Sequence, residues 1–145
     1  MGKGRGIIVN KKRIDNNIGK AYDILKSEKV AIAKNGQIPR GYRSQISSFG
    51  AAISSGSLLA AIAFFSDKGN AQVERQKLMQ AIMELIKANN KEVKEDSLFF
   101  YVRASQGAES EMTKLKEEIL DYTIAIKLAM NLYVLTADKK KESEE

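Results

Sequence analysis

Pro39 is the only proline among the 145 residues, and this scarcity constrains the fold more than any other feature of the sequence. Proline interrupts helices and supplies turns, so a chain with one proline and 10 glycines lacks the turn residues that small strand-rich domains need. Alanine, leucine, lysine and glutamate, which favour helices, are frequent instead. The sequence therefore predicts an all-α fold, a compact bundle of five to six helices in a single domain.

Apolar residues recur at helical spacing along most of the chain. Asn35-Gly36 and then Ile38-Pro39 mark the first break in this pattern, because Asn and Gly tolerate left-handed backbone and the residue before proline avoids the helical region. The predicted helices cover residues 11–34, 42–53, 58–66, 71–88 and 109–137, with a short helix or irregular turn at 98–102. We expect a flexible basic arm over 1–10, a helical domain over 11–137 and a charged tail over 138–145.

The sequence contains no cysteine and no histidine, which removes the commonest nucleophile–base pairs and the usual ligands of transition metals. One acidic group, Glu117, Glu118 and Asp121, lies within about a turn of the last predicted helix. Lysines flank this group, so we expect surface ion pairs along the helix rather than a catalytic carboxylate pair. The sequence therefore predicts a protein that is not an enzyme and that holds no cofactor and no metal.

Residues 44–66 carry no charge and are numerous enough to cross a bilayer, yet seven of them are serine and five are alanine. This composition favours buried helices with small-residue contacts over a membrane span. The apolar run after the basic N-terminus, Ile7-Ile8-Val9, is too short for a signal peptide. We expect a cytoplasmic protein with no membrane contact.

Charge is unevenly distributed along the chain. Residues 1–43 hold eleven lysines and arginines against three acids, and positions 29–66 contain no acid at all. Lys34, Arg40 and Arg43 lie on or beside the connection 35–42, where no carboxylate would repel a phosphate. This pattern is typical of an RNA contact surface, although a solvated basic surface without a ligand has the same composition.

Three segments resemble the Cmr small subunit, the fifth subunit of type III-B CRISPR effector complexes. They are Asn-Gly-Gln-Ile-Pro-Arg-Gly-Tyr at 35–42, Ile-Ser-Ser-Phe-Gly-Ala-Ala-Ile at 46–53 and Ser-Leu-Leu-Ala-Ala-Ile-Ala-Phe-Phe-Ser at 57–66. The last helix, through Ala-Ile-Lys-Leu-Ala at 125–129, is similar to the closing helix of that family. The chain departs from the family pattern at Gly50, where many members have proline, and near Ser54, where they have arginine.

The resemblance implies a helical small subunit that stacks along the complex, opposite the backbone subunits that carry guide RNA. In that family other subunits cleave, and the small subunits help to hold the target RNA during antiviral defence. The implied partners are other Cmr subunits, neighbouring copies of the chain, target RNA and guide RNA. The residues expected to contact target RNA phosphates are Lys34, Arg40, Arg43, Lys68 and Lys127.

Three alternatives remain open at the level of sequence. The chain could be a purely structural helical scaffold whose basic surface binds nothing. It could be the small subunit of the related Csm-type complex, which has a similar size and helical character. A nuclease with carboxylate-bound Mg²⁺ would need convergent oxygen ligands, which the sequence does not reveal.

Overall fold

The computed structural model of the chain describes residues 8–105 and 107–137. It contains six helices and two short strands in these residues: α1 Lys11–Leu25, β1 Gln37–Pro39, α2 Arg40–Ser55, α3 Leu58–Phe65, α4 Gln76–Asn89, α5 Leu98–Ala104, α6 Glu109–Met130 and β2 Val134–Thr136. The all-α bundle predicted from the sequence is confirmed. The predicted tail 138–145 and the first seven residues of the predicted arm lie outside the described residues.

Helix α6 is the centre of the bundle, because α1, α2 and α4 all pack against it. Contacts join Asn10 to Asp121 and Tyr22 to Tyr133, so α1 and α6 run parallel. The helices bury one apolar core whose largest members include Leu25, Ile46, Phe49, Ile53, Ile62, Leu78, Ile82, Leu85, Ile86 and Ile119. Burial of such side chains contributes about 1.5–3 kcal/mol each and holds the layers together.

Side-chain caps fix where three of the helices begin. The Asn10 side chain accepts a hydrogen bond from the Arg13 N–H at the start of α1. Ser57 and Ser97 accept in the same way at the starts of α3 and α5. Each cap satisfies an amide that the helix itself leaves unpaired, which is worth about 1 kcal/mol.

Helix α1 ends at Leu25 and not near residue 34 as the apolar spacing predicted. The N–H groups of Ile32 and Ala33 both donate to the Leu25 carbonyl, at 3.1 and 2.8 Å, so the chain folds back over the end of the helix. Ala31 has a φ of 52°, which a helix does not allow. Val30 and its apolar neighbours are buried without being helical, and this burial explains the misleading pattern.

The connection from α3 to α4 is also longer than predicted, because α4 begins at Gln76 rather than near residue 71. Arg75 fixes this connection from inside. Its Nε donates to the Asp67 carbonyl at 2.7 Å, its Nη2 donates to the Phe64 carbonyl at 2.8 Å, and its guanidinium lies over the Phe64 ring. The loop that carries Lys68 is therefore tied to the end of α3.

The charge-free segment folds as α2 and α3, which are separated at Gly56. Among the residues that the structure describes, no helix combines the length and the apolar character that a bilayer crossing requires.

Candidate nucleic-acid interface

Lys34 stands at the base of a tight two-residue turn. Its backbone N–H donates to the Gln37 carbonyl at 2.9 Å, and the Gln37 N–H donates back to the Lys34 carbonyl at 3.0 Å. Between them, Asn35 and Gly36 have φ values of 54° and 77°. Asn-Gly is the preferred pair for a turn with two positive φ angles. The turn holds Lys34 on the surface at the entry to β1.

Strand β1 pairs in parallel with β2, the segment that follows α6. The Val134 N–H donates to the Gly36 carbonyl at 3.0 Å, so the turn lies directly beside the end of α6. Pro39 closes β1, and its φ of −58° suits the residue that starts a helix. Arg40 is therefore the first residue of α2, and its side chain is exposed.

Arg43 connects this region to α6. Its Nε donates to Asn131 Oδ1 at 2.9 Å, across 88 positions of sequence. Lys127 lies four residues before Asn131, so helical spacing places it on the same helix face as the residue that Arg43 contacts. Lys127 is also in the last turn of α6, where a cation is favourable next to the free carbonyl groups.

The turn before β1, the first turn of α2 and the last turn of α6 therefore carry four of the five predicted RNA-contacting residues beside the β1–β2 sheet: Lys34, Arg40, Arg43 and Lys127. We call this group the cationic cluster. Lys68 lies apart in the loop after α3, and within the described residues no hydrogen bond or ion pair joins it to the cluster. That loop does approach α2, because the Tyr42 hydroxyl hydrogen-bonds with the backbone of Glu74. Burial raises the pKa of the Tyr42 hydroxyl.

Within residues 8–105 and 107–137, none of the five cations forms an ion pair. Lys29, which the sequence places near the same connection, does have a partner, because its Nζ lies 3.3 Å from Glu84 Oε2. Lysines and arginines without carboxylates nearby remain available to an external anion, and phosphate is the anion that such groups commonly bind.

The acidic group of α6 is arranged differently from the sequence prediction. Asp121 does not pair with the lysines of its own helix but is fully buried against the start of α1. Its Oδ1 accepts the Asn10 N–H at 3.1 Å, and Arg13 Nε lies 3.3 Å from Oδ2. Burial raises the pKa of both Asp121 and Glu118. The expectation of surface ion pairing was wrong for Asp121, because its partners are more than a hundred residues away in sequence.

The rings of Tyr122, in α6, and Tyr133, just after α6, are packed inside the protein. Tyr133 stacks on Tyr22 with ring centroids 4.5 Å apart and donates its hydroxyl to the Tyr22 carbonyl at 2.6 Å. Burial is the main cause that raises the pKa of Tyr133 to about 12. Tyr122 is buried as well. These rings are core residues, and they are not exposed for stacking on bases.

In the described part of the chain, no group of three or more acidic side chains is arranged so that it could hold a metal ion.

Comparison with protein families adds the decisive observation. Residues 19–130 match the family model described as CRISPR-associated protein (Cas_Cmr5). The chain belongs to the Cas_Cmr5 family. No curated protein and no solved structure gives a significant match.

The Cas_Cmr5 match begins within α1 and ends with the last residue of α6. It confirms the family resemblance that the segments 35–66 indicated. All five predicted RNA-contacting residues fall inside the matched range, whereas β2 and the first residues of α1 fall outside it. The Cas_Cmr5 segment therefore carries the cationic cluster, and the strand that completes the cluster's framework comes from beyond the matched segment.

Proposed function

We propose that this chain is a non-catalytic small subunit of a Cmr-type, guide-RNA-directed complex that targets RNA in antiviral defence in the cytoplasm. Its role is to hold the target RNA through phosphate contacts. The observation that carries this proposal is the cationic cluster, four cations that form no ion pair within the described residues, lie beside the β1–β2 sheet and all fall in the family-matched range. Family membership supports the Cmr type over the related Csm type.

The chemistry of the cluster suits the RNA backbone better than its bases. Lys34 and Arg40 are exposed cations on a rigid framework, and such groups bind phosphates irrespective of sequence. In guide-directed complexes, pairing between guide and target reads the sequence, so a subunit that only holds the strand needs no base-specific side chains. Lys68 would contact the same RNA if the RNA strand continues past the loop after α3.

Two exposed apolar surfaces support assembly with neighbouring subunits, including further copies of the chain. One lies at the end of α6 and consists of Leu128, Leu132 and Val134. The other candidate comprises the exposed Phe64 on α3, whose ring carries the Arg75 guanidinium, and the exposed Phe100 on α5, a helix that packs on α3. Large exposed apolar side chains of this kind commonly mark protein interfaces. Because the two surfaces differ, a contact between them would be head-to-tail and would continue as a stack.

The test is charge reversal at the two exposed cations of the cluster, Lys34→Glu with Arg40→Glu, in the complex purified from its host. We expect target RNA capture to weaken at least about tenfold, since two phosphate contacts become repulsive. The slope of log affinity against log salt should also become shallower by about one for each phosphate that the variant no longer binds. Binding of labelled target RNA over a salt series measures both quantities.

A matched control reverses two exposed lysines outside the cluster, Lys91→Glu with Lys94→Glu, and should leave capture and salt slope nearly unchanged. Complexes of all variants should contain the same subunits. A complex that assembles normally and captures target RNA normally with Lys34→Glu and Arg40→Glu would reject phosphate binding by the cluster. The purely structural scaffold would then be the better description.

A further inference from the structure

The Phe64 ring at the end of α3 is exposed and yet held in one orientation. The Arg75 guanidinium lies over one face of this ring, 4.3 Å from its centroid, and the Phe65 ring meets it edge-on with centroids 5.3 Å apart. Arg75 is itself buried, and it donates to the Phe64 and Asp67 carbonyl groups at 2.8 and 2.7 Å. Phe64 remains 62% exposed, so the ring face opposite the guanidinium is open to a ligand.

An exposed aromatic ring whose orientation is already fixed is a favourable surface for stacking. A flexible side chain loses rotamer freedom when a ligand binds, whereas Phe64 has lost part of this freedom in the free protein. Proteins commonly hold the unpaired bases of RNA by stacking them on such rings. Phe100 is the other exposed phenylalanine of the described residues, and there it has Phe99 beside it but no cation over its face.

A cation suited to phosphate follows this ring in sequence. Lys68 comes four residues after Phe64, on the loop that Arg75 ties to the end of α3. Within the part of the chain that the structure describes, Lys68 forms no ion pair. The carboxylate of the preceding residue, Asp67, accepts the Gly69 N–H at 3.1 Å and is thus engaged inside the loop. The loop therefore combines an aromatic face with an ammonium group, the two features that hold the bases and the backbone of a single strand.

The same loop runs along α2 toward the cationic cluster. At its beginning, Phe65 packs on Phe49 in the middle of α2, with ring centroids 5.4 Å apart. At its other end, the Glu74 backbone reaches Tyr42 in the first turn of α2. Phe49 is nine residues after Arg40, which corresponds to about 14 Å along the helix axis. An RNA strand that leaves the cluster in this direction reaches the end of α3 within a few nucleotides.

We propose that Phe64 is a stacking platform for a base of the RNA strand that is not paired with the guide, and that Lys68 contacts a phosphate next to this base. The inference rests on the proposed function, because it extends the RNA path beyond the cationic cluster. It adds an aromatic contact to a surface that otherwise binds phosphates. Since every base has a flat aromatic face, Phe64 accepts any sequence, as guide-directed recognition requires.

The experiment is an NMR titration of the full chain with two short RNAs of equal length. One RNA is a run of adenosines, and the other has the same phosphates and sugars but no bases. We expect the adenosine RNA to shift the Phe64 ring resonances upfield through the ring current of the stacked base, and the abasic RNA to leave them unshifted. Phe64→Leu should weaken binding of the adenosine RNA at least about fivefold and leave binding of the abasic RNA unchanged.

Phe100→Leu is the matched control, because it makes the same change at an exposed ring that carries no guanidinium. It should bind the adenosine RNA as the wild type does. Phe64→Tyr keeps an aromatic ring and should also bind normally, so that a loss in Phe64→Leu is not mistaken for unfolding. The proposal fails if the Phe64 resonances do not shift with the adenosine RNA, or if Phe100→Leu weakens binding as much as Phe64→Leu.

A neighbouring copy of the chain is the competing occupant of the Phe64 ring. If Phe64→Leu changes the sedimentation of the chain but not its RNA binding, the ring belongs to the contact between copies and the proposal is overturned. The outcome is separable from the proposed function. If Lys34→Glu with Arg40→Glu weakens RNA capture and Phe64→Leu does not, the phosphate contacts hold the RNA without a stacked base.

Discussion

At the scale of single residues, Asp121 depends on α1 for the groups that compensate its burial. Its Oδ1 has a backbone hydrogen bond from Asn10, while Arg13 Nε at 3.3 Å is close enough to Oδ2 for an ion pair but lies outside hydrogen-bond geometry. An ionised carboxylate in this position is costly without the guanidinium. Burial raises its pKa, so the folded state favours the protonated form more than the unfolded chain does.

Arg13→Gln should lower the free energy of unfolding by about 1–3 kcal/mol at neutral pH, because it leaves the buried carboxylate without its counter-charge. The raised pKa of Asp121 rises further without the arginine. A carboxyl group whose pKa is raised in the folded state makes the fold more stable as pH falls through that pKa. Because this pKa is higher in the variant, the variant gains more stability than the wild type. The deficit should therefore shrink as pH falls toward the ordinary Asp value of about 4.

Urea denaturation at pH 7 and at acidic pH measures this difference. The double variant Arg13→Gln with Asp121→Asn is the control, since it removes this carboxylate together with its partner. It should keep only the part of the pH dependence that comes from Glu118, whose raised pKa Arg13 also lowers. An Arg13→Gln deficit that stays constant across the same range would mean that packing of the arginine stem, and not its charge, stabilises the fold.

At the scale of secondary-structure elements, apolar spacing located the cores of the helices well but not their ends. It placed α2 and most of α6 because Ile46 and Phe49, or Ile119 and Ile126, recur on one face of one helix. It extended α6 to residue 137, whereas the helix ends at Met130 and the chain continues into β2. It extended α1 too far because Val30, Ile32 and Ala33 are buried by a chain reversal rather than by a helix. Periodicity detects burial, and burial does not require a helix.

Long-range pairing explains what could not be predicted about the candidate site. The cations of the connection 35–42 were visible in the sequence as an acid-free stretch. Their assembly with Lys127 depends on the three-residue strands β1 and β2 and on the bond from Arg43 to Asn131. Strands of three residues are too short for an alternation pattern, and no local signal links positions 88 residues apart.

The Asn-Gly turn gives an element-scale prediction. Gly36→Ala should destabilise the protein by about 1–2 kcal/mol, because the φ of 77° is costly for a residue with a Cβ. The cost is conformational, since nothing lies within 4 Å of a Cβ built at this glycine. Thermal unfolding of the purified variant measures the loss of stability.

Asn35→Gly is the control, since glycine also accepts the φ of 54° at that position, and its stability should change far less. If Gly36→Ala were as stable as the wild type, the turn would not hold this geometry in solution. The position of Lys34 at the entry to β1 would then need another explanation.

At the scale of the whole molecule, the cationic and apolar surfaces lie close together at one end of α6. Leu128 and Leu132 are the sequence neighbours of Lys127 and Asn131 at the end of α6. A partner covering the two exposed leucines would therefore come close to the cationic cluster. The Phe64 and Phe100 surface belongs to other helices. In a stack of copies, this arrangement would place one cationic cluster at each junction, which suits a subunit that follows an extended RNA strand.

The proposed head-to-tail arrangement predicts how two single variants behave when they are mixed. Leu132 is 62% exposed and Phe100 is 55% exposed, so Leu132→Asp and Phe100→Asp should leave the monomer folded. Each variant alone should associate at least about tenfold more weakly than the wild type, as removal of an apolar anchor from an interface typically causes. A mixture of the two should form dimers that grow no further, because each variant keeps one intact surface and these two surfaces are complementary. Analytical ultracentrifugation of the separate and mixed proteins measures this, and mixing that restores no dimer would exclude a contact between these surfaces.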